Sequence, residues 1–154
     1  MSDWIRTRAE EIRQVERERK AERERQIAAA NLLKSQIEPF WAELVDTLAL
    51  SVKVFNEEFP ELDRRIETFD RQMRTSVVLR RSAYPAVTVK MQLNTAGTSV
   101  QYTISRTHRK GAETVEKPGA FTFGVRDGKV GYVESGLETH DDIAMLVLDP
   151  FFSF

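Results

Sequence analysis

The chain has 154 residues, of which 41% are hydrophobic and 31% charged, so it has room for one domain and is too apolar to be wholly disordered. Its 23 basic and 24 acidic side chains give a net charge of −1, which excludes a histone-like protein that neutralises nucleic acid by charge alone. The absence of cysteine excludes disulfide scaffolds, thiol nucleophiles and cysteine-ligated metal sites.

Residues 2–36 have the composition of a long helix. They include no Gly or Pro, and most are Ala, Glu, Arg, Gln or Lys, which favour helix formation. Residues 6–25 contain eight bases and six acids, and opposite charges recur at a spacing of three along one helical strip. A heptad frame through Ile5, Ile12 and Val15 becomes polar in the middle of the segment, so a sustained coiled coil is not predicted.

This helix is too long for one small domain to cover. About 34 residues at ~1.5 Å each span roughly 50 Å, whereas the rest of the chain would fold to a radius of gyration of about 13 Å. We therefore predict a charged helical arm at residues 1–37 and an α+β domain at residues 38–154. The arm is expected to contact a second chain, assisted by an aromatic tail whose rings lack an obvious cover within the chain. The candidate oligomer contacts are Trp4, Ile5, Ile12, Val15, Phe151, Phe152 and Phe154.

A second helix is predicted to carry the core. The dipeptide Glu38-Pro39 should break or kink the helix, because a residue before proline is biased away from helical geometry. Up to Phe59, large apolar residues then recur at spacings of three and four, which is typical of a buried helical face. Residues 61–72 fit either a short helix or an extended lead-in to a sheet. The predicted core face consists of Trp41, Leu44, Val45, Leu48, Val52, Phe55 and Phe59.

The remaining chain is predicted to form an antiparallel sheet of about five strands. Residues 76–81 are the first clear strand. Residues 87–93 alternate apolar and polar side chains, and residues 100–104 repeat that pattern after a loop at residues 95–98. A four-residue loop fixes the register of the resulting hairpin. The predicted pairs are Leu93 with Val100, Met91 with Tyr102, and Val89 with Ile104.

A second hairpin is predicted around Asp127-Gly128, which is a type I′ turn signal. Between the two hairpins, residues 108–119 are polar and contain two glycines and a proline, which predicts a mobile loop. Residues 139–148 are predicted to form a short C-terminal helix. The predicted pairs of the second hairpin are Val125 with Val130 and Phe123 with Tyr132.

The start of the short helix also contains residue types that bind metal ions. His140, Asp141 and Asp142 are adjacent, however, so their side chains cannot all converge from one helical turn. Thr139 followed three residues later by Asp142 is instead typical of a helix cap. We therefore favour the cap and predict no metal site.

The candidate catalytic residues are carboxylates around the end of the predicted core helix. Glu57, Glu58 and Glu61 could pair as general acid and base, but the sequence supplies no nucleophile or oxyanion site near them. A glycine-rich loop of the kind that cradles phosphate is also absent from the sequence. We therefore predict that the protein is not an enzyme and binds no cofactor.

Nucleic-acid binding is the alternative function. Residues 71–112 contain eight bases and no acid, a distribution that counter-ion release would favour on nucleic acid. The predicted solvent face of the first hairpin carries one cation and no aromatic ring, and Tyr102 falls on the buried face, so a stacking platform is not predicted. The candidate contacts for weak binding are Arg74, Arg80, Arg81, Arg106 and Arg109.

The sequence thus predicts an α+β protein with a long N-terminal helix, an amphipathic core helix, an antiparallel sheet and a short C-terminal helix. The first hypothesis for its function is a protein-interaction or assembly module that forms a homo-oligomer or binds a protein partner. Because no apolar run approaches the roughly 18 residues of a membrane span, and residues 1–6 lack a signal-peptide core, we expect a cytoplasmic location and no membrane partner.

Overall fold

The computed structural model describes residues 2–71, 73–94, 96 and 98–154. They form the predicted α+β fold, with a long N-terminal helix, a curled antiparallel sheet and a short C-terminal helix. Within the described residues the sheet has six strands in chain order, where about five were predicted. The helices are α1 (Asp3–Glu58) and α2 (His140–Leu148), followed by the 3-10 helix η1 (Asp149–Phe152). The strands are β1 (Thr68–Asp70), β2 (Ser76–Arg81), β3 (Ala86–Asn94), β4 (Ser99–Thr107), β5 (Val115–Arg126) and β6 (Lys129–Tyr132).

Helix α1 continues through Pro39, so of the break or kink predicted at Glu38-Pro39 the break is wrong. A proline within a helix removes one backbone hydrogen bond and costs about 3 kcal/mol. On either side of it, Ile37 and Trp41 are buried, and the Trp41 indole donates a hydrogen bond to the Arg74 carbonyl at 2.9 Å. Burial of these two side chains, at about 2 kcal/mol each, offsets the proline and keeps the helix continuous.

The core lies between α1, α2 and the inner face of the sheet. The predicted core face of α1 is confirmed, since six of its seven residues are buried and Phe59 is half-buried. They form one cluster with the buried side chains of β3 and β4, where Tyr102 is half-buried. Every predicted pair of both hairpins is confirmed. Thr95 and Gly97 of the predicted loop lie outside the described residues.

Strand β5 begins at Val115, so the prediction of a mobile loop over residues 108–119 is wrong for its second half. Residues 115–122 pair with β4, and only the end of β5 pairs with β6. This first half of β5 therefore has a ladder partner on one side. Pro118 is tolerated there because a strand edge needs no second backbone donor.

The segment after α1 takes the extended form of the two predicted alternatives. A turn over residues 61–65 leads into β1, and no helix forms among the described residues of this segment. The side chain of Asn56 holds the turn, because its Nδ2 donates to the Ile66 carbonyl at 3.0 Å and its Oδ1 accepts from the Ile66 amide at 2.7 Å. Gln72 lies outside the described residues.

The predicted cap of the short helix is confirmed as a capping box. The Thr139 hydroxyl accepts from the Asp142 amide at 3.3 Å, and the Asp142 carboxylate accepts from the Thr139 amide at 2.9 Å. Hydrogen bonds from the amides of Glu138 and Thr139 hold the pKa of Asp142 below its usual value. Asp142 therefore serves the helix terminus, as the sequence indicated.

Helix α1 extends well beyond the domain at its N-terminal end. Leu33 is the first of its residues that packs against the core. Residues 3–32, about 45 Å of helix at ~1.5 Å per residue, therefore project as an arm, and we use that name for them below. Among the described residues, no helix is sufficiently long and apolar to cross a membrane.

Candidate self-association surface

The arm carries large apolar side chains that the described residues leave largely exposed. The exposed fractions are 70% for Trp4, 52% for Ile5, 51% for Ile12 and 44% for Val15. Contiguous exposed apolar surface of this kind marks interaction sites in soluble proteins. The four arm residues predicted as oligomer contacts are therefore accessible to a second chain.

Ion pairs between arm residues stiffen the helix. Arg17 and Arg13 both reach Glu10, at 3.0 and 3.6 Å, and Arg25 contacts Glu22 at 2.7 Å. Hydrogen bonds from Arg17 and Arg25 lower the pKa values of Glu10 and Glu22 respectively. All of these side chains are exposed, so the pairs support the helix locally and are screened by salt.

The aromatic tail is covered more completely than the sequence suggested. Phe151 is fully buried, so the expectation that its ring lacks a cover within the chain is wrong. The rings of Phe152 and Phe154 lie 5.1 Å from Phe55 and 5.0 Å from Phe59, yet about half of each ring remains exposed. The tail is covered because α1 continues to Glu58 and presents its aromatic side chains to it. Phe152 and Phe154 remain available as contacts, whereas Phe151 does not.

Arg81 is not available to nucleic acid, because its side chain is buried within the domain. Burial, with a contribution from nearby Arg106, lowers the pKa of its guanidinium. Among the described residues, the guanidinium donates to backbone carbonyls alone, and thereby ties the C-terminal tail to β2. The acceptors are the carbonyl oxygens of Phe151 at 2.7 Å, Ser153 at 2.8 Å, Pro85 at 3.0 and 3.1 Å, and Arg64 at 3.2 Å.

Of the remaining candidate arginines, Arg74 pairs with an acidic residue of α1. Arg74 contacts Glu38 of α1 at 3.3 Å, and its neighbour Arg71 contacts Asp46 at 3.2 Å. The acidic part of α1 thus packs against the basic segment before β2, as expected for oppositely charged elements of one domain. The other three candidates, Arg80, Arg106 and Arg109, are exposed.

A chain of polar contacts joins β6, α2 and α1. The Tyr132 hydroxyl lies 2.6 Å from His140 Nδ1, and His140 Nε2 lies 3.4 Å from the Glu43 carboxylate. Both contacts suit one tautomer, in which the phenol donates to Nδ1 and the Nε2 proton faces Glu43. The ring of Phe40 covers the imidazole at 4.6 Å. Sequence reasoning missed this chain because its members are distant in sequence and form no local motif.

The Tyr132 contact predicts a specific loss of stability in alkali. Burial, with a smaller contribution from the Asp142 carboxylate, raises the pKa of the Tyr132 phenol above its usual value. Above about pH 10 an unfolded tyrosine ionises while the folded one keeps its proton, so stability is intact below that pH and falls as pH rises toward the folded pKa. Urea unfolding between about pH 8 and about pH 11 should show a smaller decline for Tyr132→Phe than for the wild type.

Tyr84→Phe is the matched control, because the Tyr84 ring is about half exposed. This variant should keep the alkaline decline of the wild type. Equal declines in Tyr132→Phe and the wild type would show that the phenol does not contribute to the pH dependence.

A groove between α1 and the C-terminal segment presents further apolar surface. Leu50 and Val54 lie one turn apart on α1 and are 63% and 50% exposed. Together with Leu148 and Phe152 they line a cavity of about 330 Å³. We call this cavity the α1–α2 groove. Helix α2 runs beside α1 in the same direction, since His140 contacts Glu43 and the Phe152 ring contacts Phe55.

Comparisons of the chain with family models, curated proteins and solved structures match none of them. Within the described residues, no group of three or more acidic or histidine side chains is arranged to hold a metal ion.

Proposed function

We propose that this protein is a self-association module whose helical arm binds a second copy of the chain. The observation that carries the proposal is the exposure of Trp4, Ile5, Ile12 and Val15 on a helix that projects about 45 Å from its domain. A projecting helix with an apolar strip is suited to docking on a partner surface. Its ion pairs keep the helix preformed, which reduces the entropy lost on binding.

The energetics favour an arm that binds together with other surfaces. Burying four such side chains contributes roughly 6–10 kcal/mol before the costs of association. Those costs are about 4–15 kcal/mol, so the arm strip alone gives at most weak binding. Phe152 and Phe154, each about half exposed, supply additional apolar area on the domain.

Weak nucleic-acid binding is the alternative, with a smaller basis than the sequence indicated. Of its five arginines, Arg81 is buried and Arg74 contacts Glu38, which leaves Arg80, Arg106 and Arg109. Salt-dependent retention on DNA that disappears in a variant of these three arginines would support this alternative.

Sedimentation of full-length variants tests the proposal. The wild type should sediment as a dimer at micromolar concentration, whereas Ile5→Glu with Ile12→Glu should sediment as a monomer because the apolar strip becomes charged. Thr7→Glu with Gln14→Glu is the matched control, since both residues are exposed on the other side of the same helix. It adds the same charge and should remain dimeric. A wild-type chain that is monomeric under these conditions would contradict the proposal.

A further inference from the structure

We infer that the α1–α2 groove binds a basic amphipathic helix of a partner protein. Leu50 and Val54 line the groove from α1, and Leu148 and Phe152 line it from the C-terminal segment. Met145, three residues before Leu148 on α2, is 70% exposed and adds apolar surface on that side. A contiguous patch of exposed apolar side chains marks an interaction site in a soluble protein. Binding here is independent of the self-association proposed above, because the groove and the arm lie at opposite ends of α1.

The walls of the groove favour a helix as the occupant. Both walls are formed by helices, whose backbone amides and carbonyls are already hydrogen-bonded within each helix. An extended peptide would lose water from its own backbone groups without gaining partners there, which costs free energy. A helix satisfies its backbone internally, and its apolar residues at spacings of three and four match Leu50 and Val54, one turn apart.

Both walls of the groove come from acidic segments of the chain. Residues 38–58 contain five acids and one base, and residues 130–154 contain five acids and no Lys or Arg. Lys53 is the single base of these segments and does not line the cavity, whereas Glu58 does. The charge around the groove therefore favours a partner that carries basic side chains.

The acids frame the apolar residues on each wall. On α1, Leu50 lies seven residues from both Glu43 and Glu57, and residues seven apart lie almost on one line along a helix. On α2, Met145 has an exposed aspartate four residues before it and another four residues after it. Within the described residues, the carboxylates around the groove that take part in no ion pair are Glu57, Glu58, Asp141 and Asp149.

This arrangement defines the length and pattern of the partner helix. The distance from Glu43 to Glu57 is about 21 Å at ~1.5 Å per residue, which corresponds to about four helical turns. The partner should present large apolar residues to the groove and Lys or Arg along both edges of that apolar face. The apolar contact supplies most of the affinity, and the charges select a basic partner over an acidic one.

A designed peptide tests the inference on the full-length chain. The probe is a fluorescein-labelled peptide of about 14 residues with leucine on one helical face and lysine on the other, and its binding is followed by fluorescence anisotropy. The wild type should bind it at least about tenfold more tightly than a peptide of the same apolar face in which glutamate replaces every lysine.

A variant of the groove tests the site of binding. Leu50→Gln with Val54→Gln should weaken binding of the lysine peptide at least about tenfold, because the change removes apolar contact area. Both positions are exposed, and glutamine is a good helix former, so the fold should be kept. Ile5→Gln with Ile12→Gln makes a comparable change at exposed positions of the arm and should bind the peptide like the wild type.

Reversing the charge of one wall tests the electrostatic part. Glu57→Lys with Glu58→Lys should also weaken binding of the lysine peptide at least about tenfold, and lysine is favourable at a helix C-terminus. Glu16→Lys with Glu24→Lys is the matched control, with the same change of charge at exposed positions of the arm. At about 0.15 M salt this control should change binding less than about twofold, because distant charges are screened.

Three results would overturn the inference. They are equal binding of the lysine and glutamate peptides, unchanged binding in Leu50→Gln with Val54→Gln, and loss of binding in Ile5→Gln with Ile12→Gln instead. A wild type that sediments as a dimer and becomes monomeric in Leu50→Gln with Val54→Gln would show that a second copy covers the groove, which also overturns it. The proposed function is decided separately, by sedimentation of the arm variants.

Discussion

Replacing Arg81 with alanine is expected to lower the free energy of unfolding by about 3–5 kcal/mol. The side chain is buried, and its guanidinium donates hydrogen bonds to the backbone carbonyls of Arg64, Phe151 and Ser153. Alanine would leave those carbonyls without a donor and open a cavity between β2 and the tail. Urea denaturation followed by circular dichroism measures the loss.

Two neighbouring variants show whether the effect belongs to the buried guanidinium. Arg80→Ala removes the same side chain from the adjacent exposed position and should change the unfolding free energy by no more than about 0.5 kcal/mol. Arg81→Lys keeps the charge but has no planar fork, so it should fall between alanine and the wild type. A loss in Arg81→Ala no larger than in Arg80→Ala would show that the tail is not held in this way.

Phe151→Ala should destabilise the domain by a similar amount, about 3–5 kcal/mol, because the ring is fully buried and its removal leaves a cavity. The Arg81 Cζ atom lies 5.8 Å from the centroid of the Phe151 ring, and the ring centroids of Phe55 and Phe151 are 6.5 Å apart. The Phe151 carbonyl accepts a hydrogen bond from Arg81 at 2.7 Å. Loss of the ring would thus also loosen the backbone at residue 151 and weaken this hydrogen bond. Thermal or urea unfolding measures the change.

The adjacent Phe152→Ala is the control, since the ring of Phe152 is 54% exposed, and it should cost less than about 1.5 kcal/mol. Phe151→Ala combined with Arg81→Ala should cost less than the two single changes together, because each change already loosens the tail. Strict additivity would argue against a shared anchor.

Local patterns account for the parts of the fold that could be predicted. The spacing of Trp41, Leu48 and Phe55 indicates a buried helical face whatever lies opposite, because helical periodicity depends only on the helix itself. The hairpin pairs from Leu93 with Val100 onward follow from loop length and strand alternation, and the capping box at Thr139 follows from two residues three positions apart. In each case the determining interactions span few residues.

The exposed apolar residues of the arm could be predicted from the sequence, whereas the α1–α2 groove could not. Trp4, Ile5, Ile12 and Val15 stand out because they interrupt a charged helix that no domain of this size can cover. Leu50 and Val54, in contrast, lie within a helix that also carries the core, and their exposure depends on where α2 and the tail pack.

Long-range packing decided the features that local patterns leave open. Pro39 lies within a continuous helix because burial of its neighbours Ile37 and Trp41 outweighs a local preference to stop. Strand alternation places Arg81 on the same face as Val77 and Leu79, and a cation is tolerated there because carbonyls from segments as distant as Ser153 converge on its guanidinium. The sequence thus determines where helices and strands form, through periodicity and turn chemistry over a few residues. Which charged groups are internal, and which apolar ones remain exposed, depends on contacts between segments that are distant in the chain.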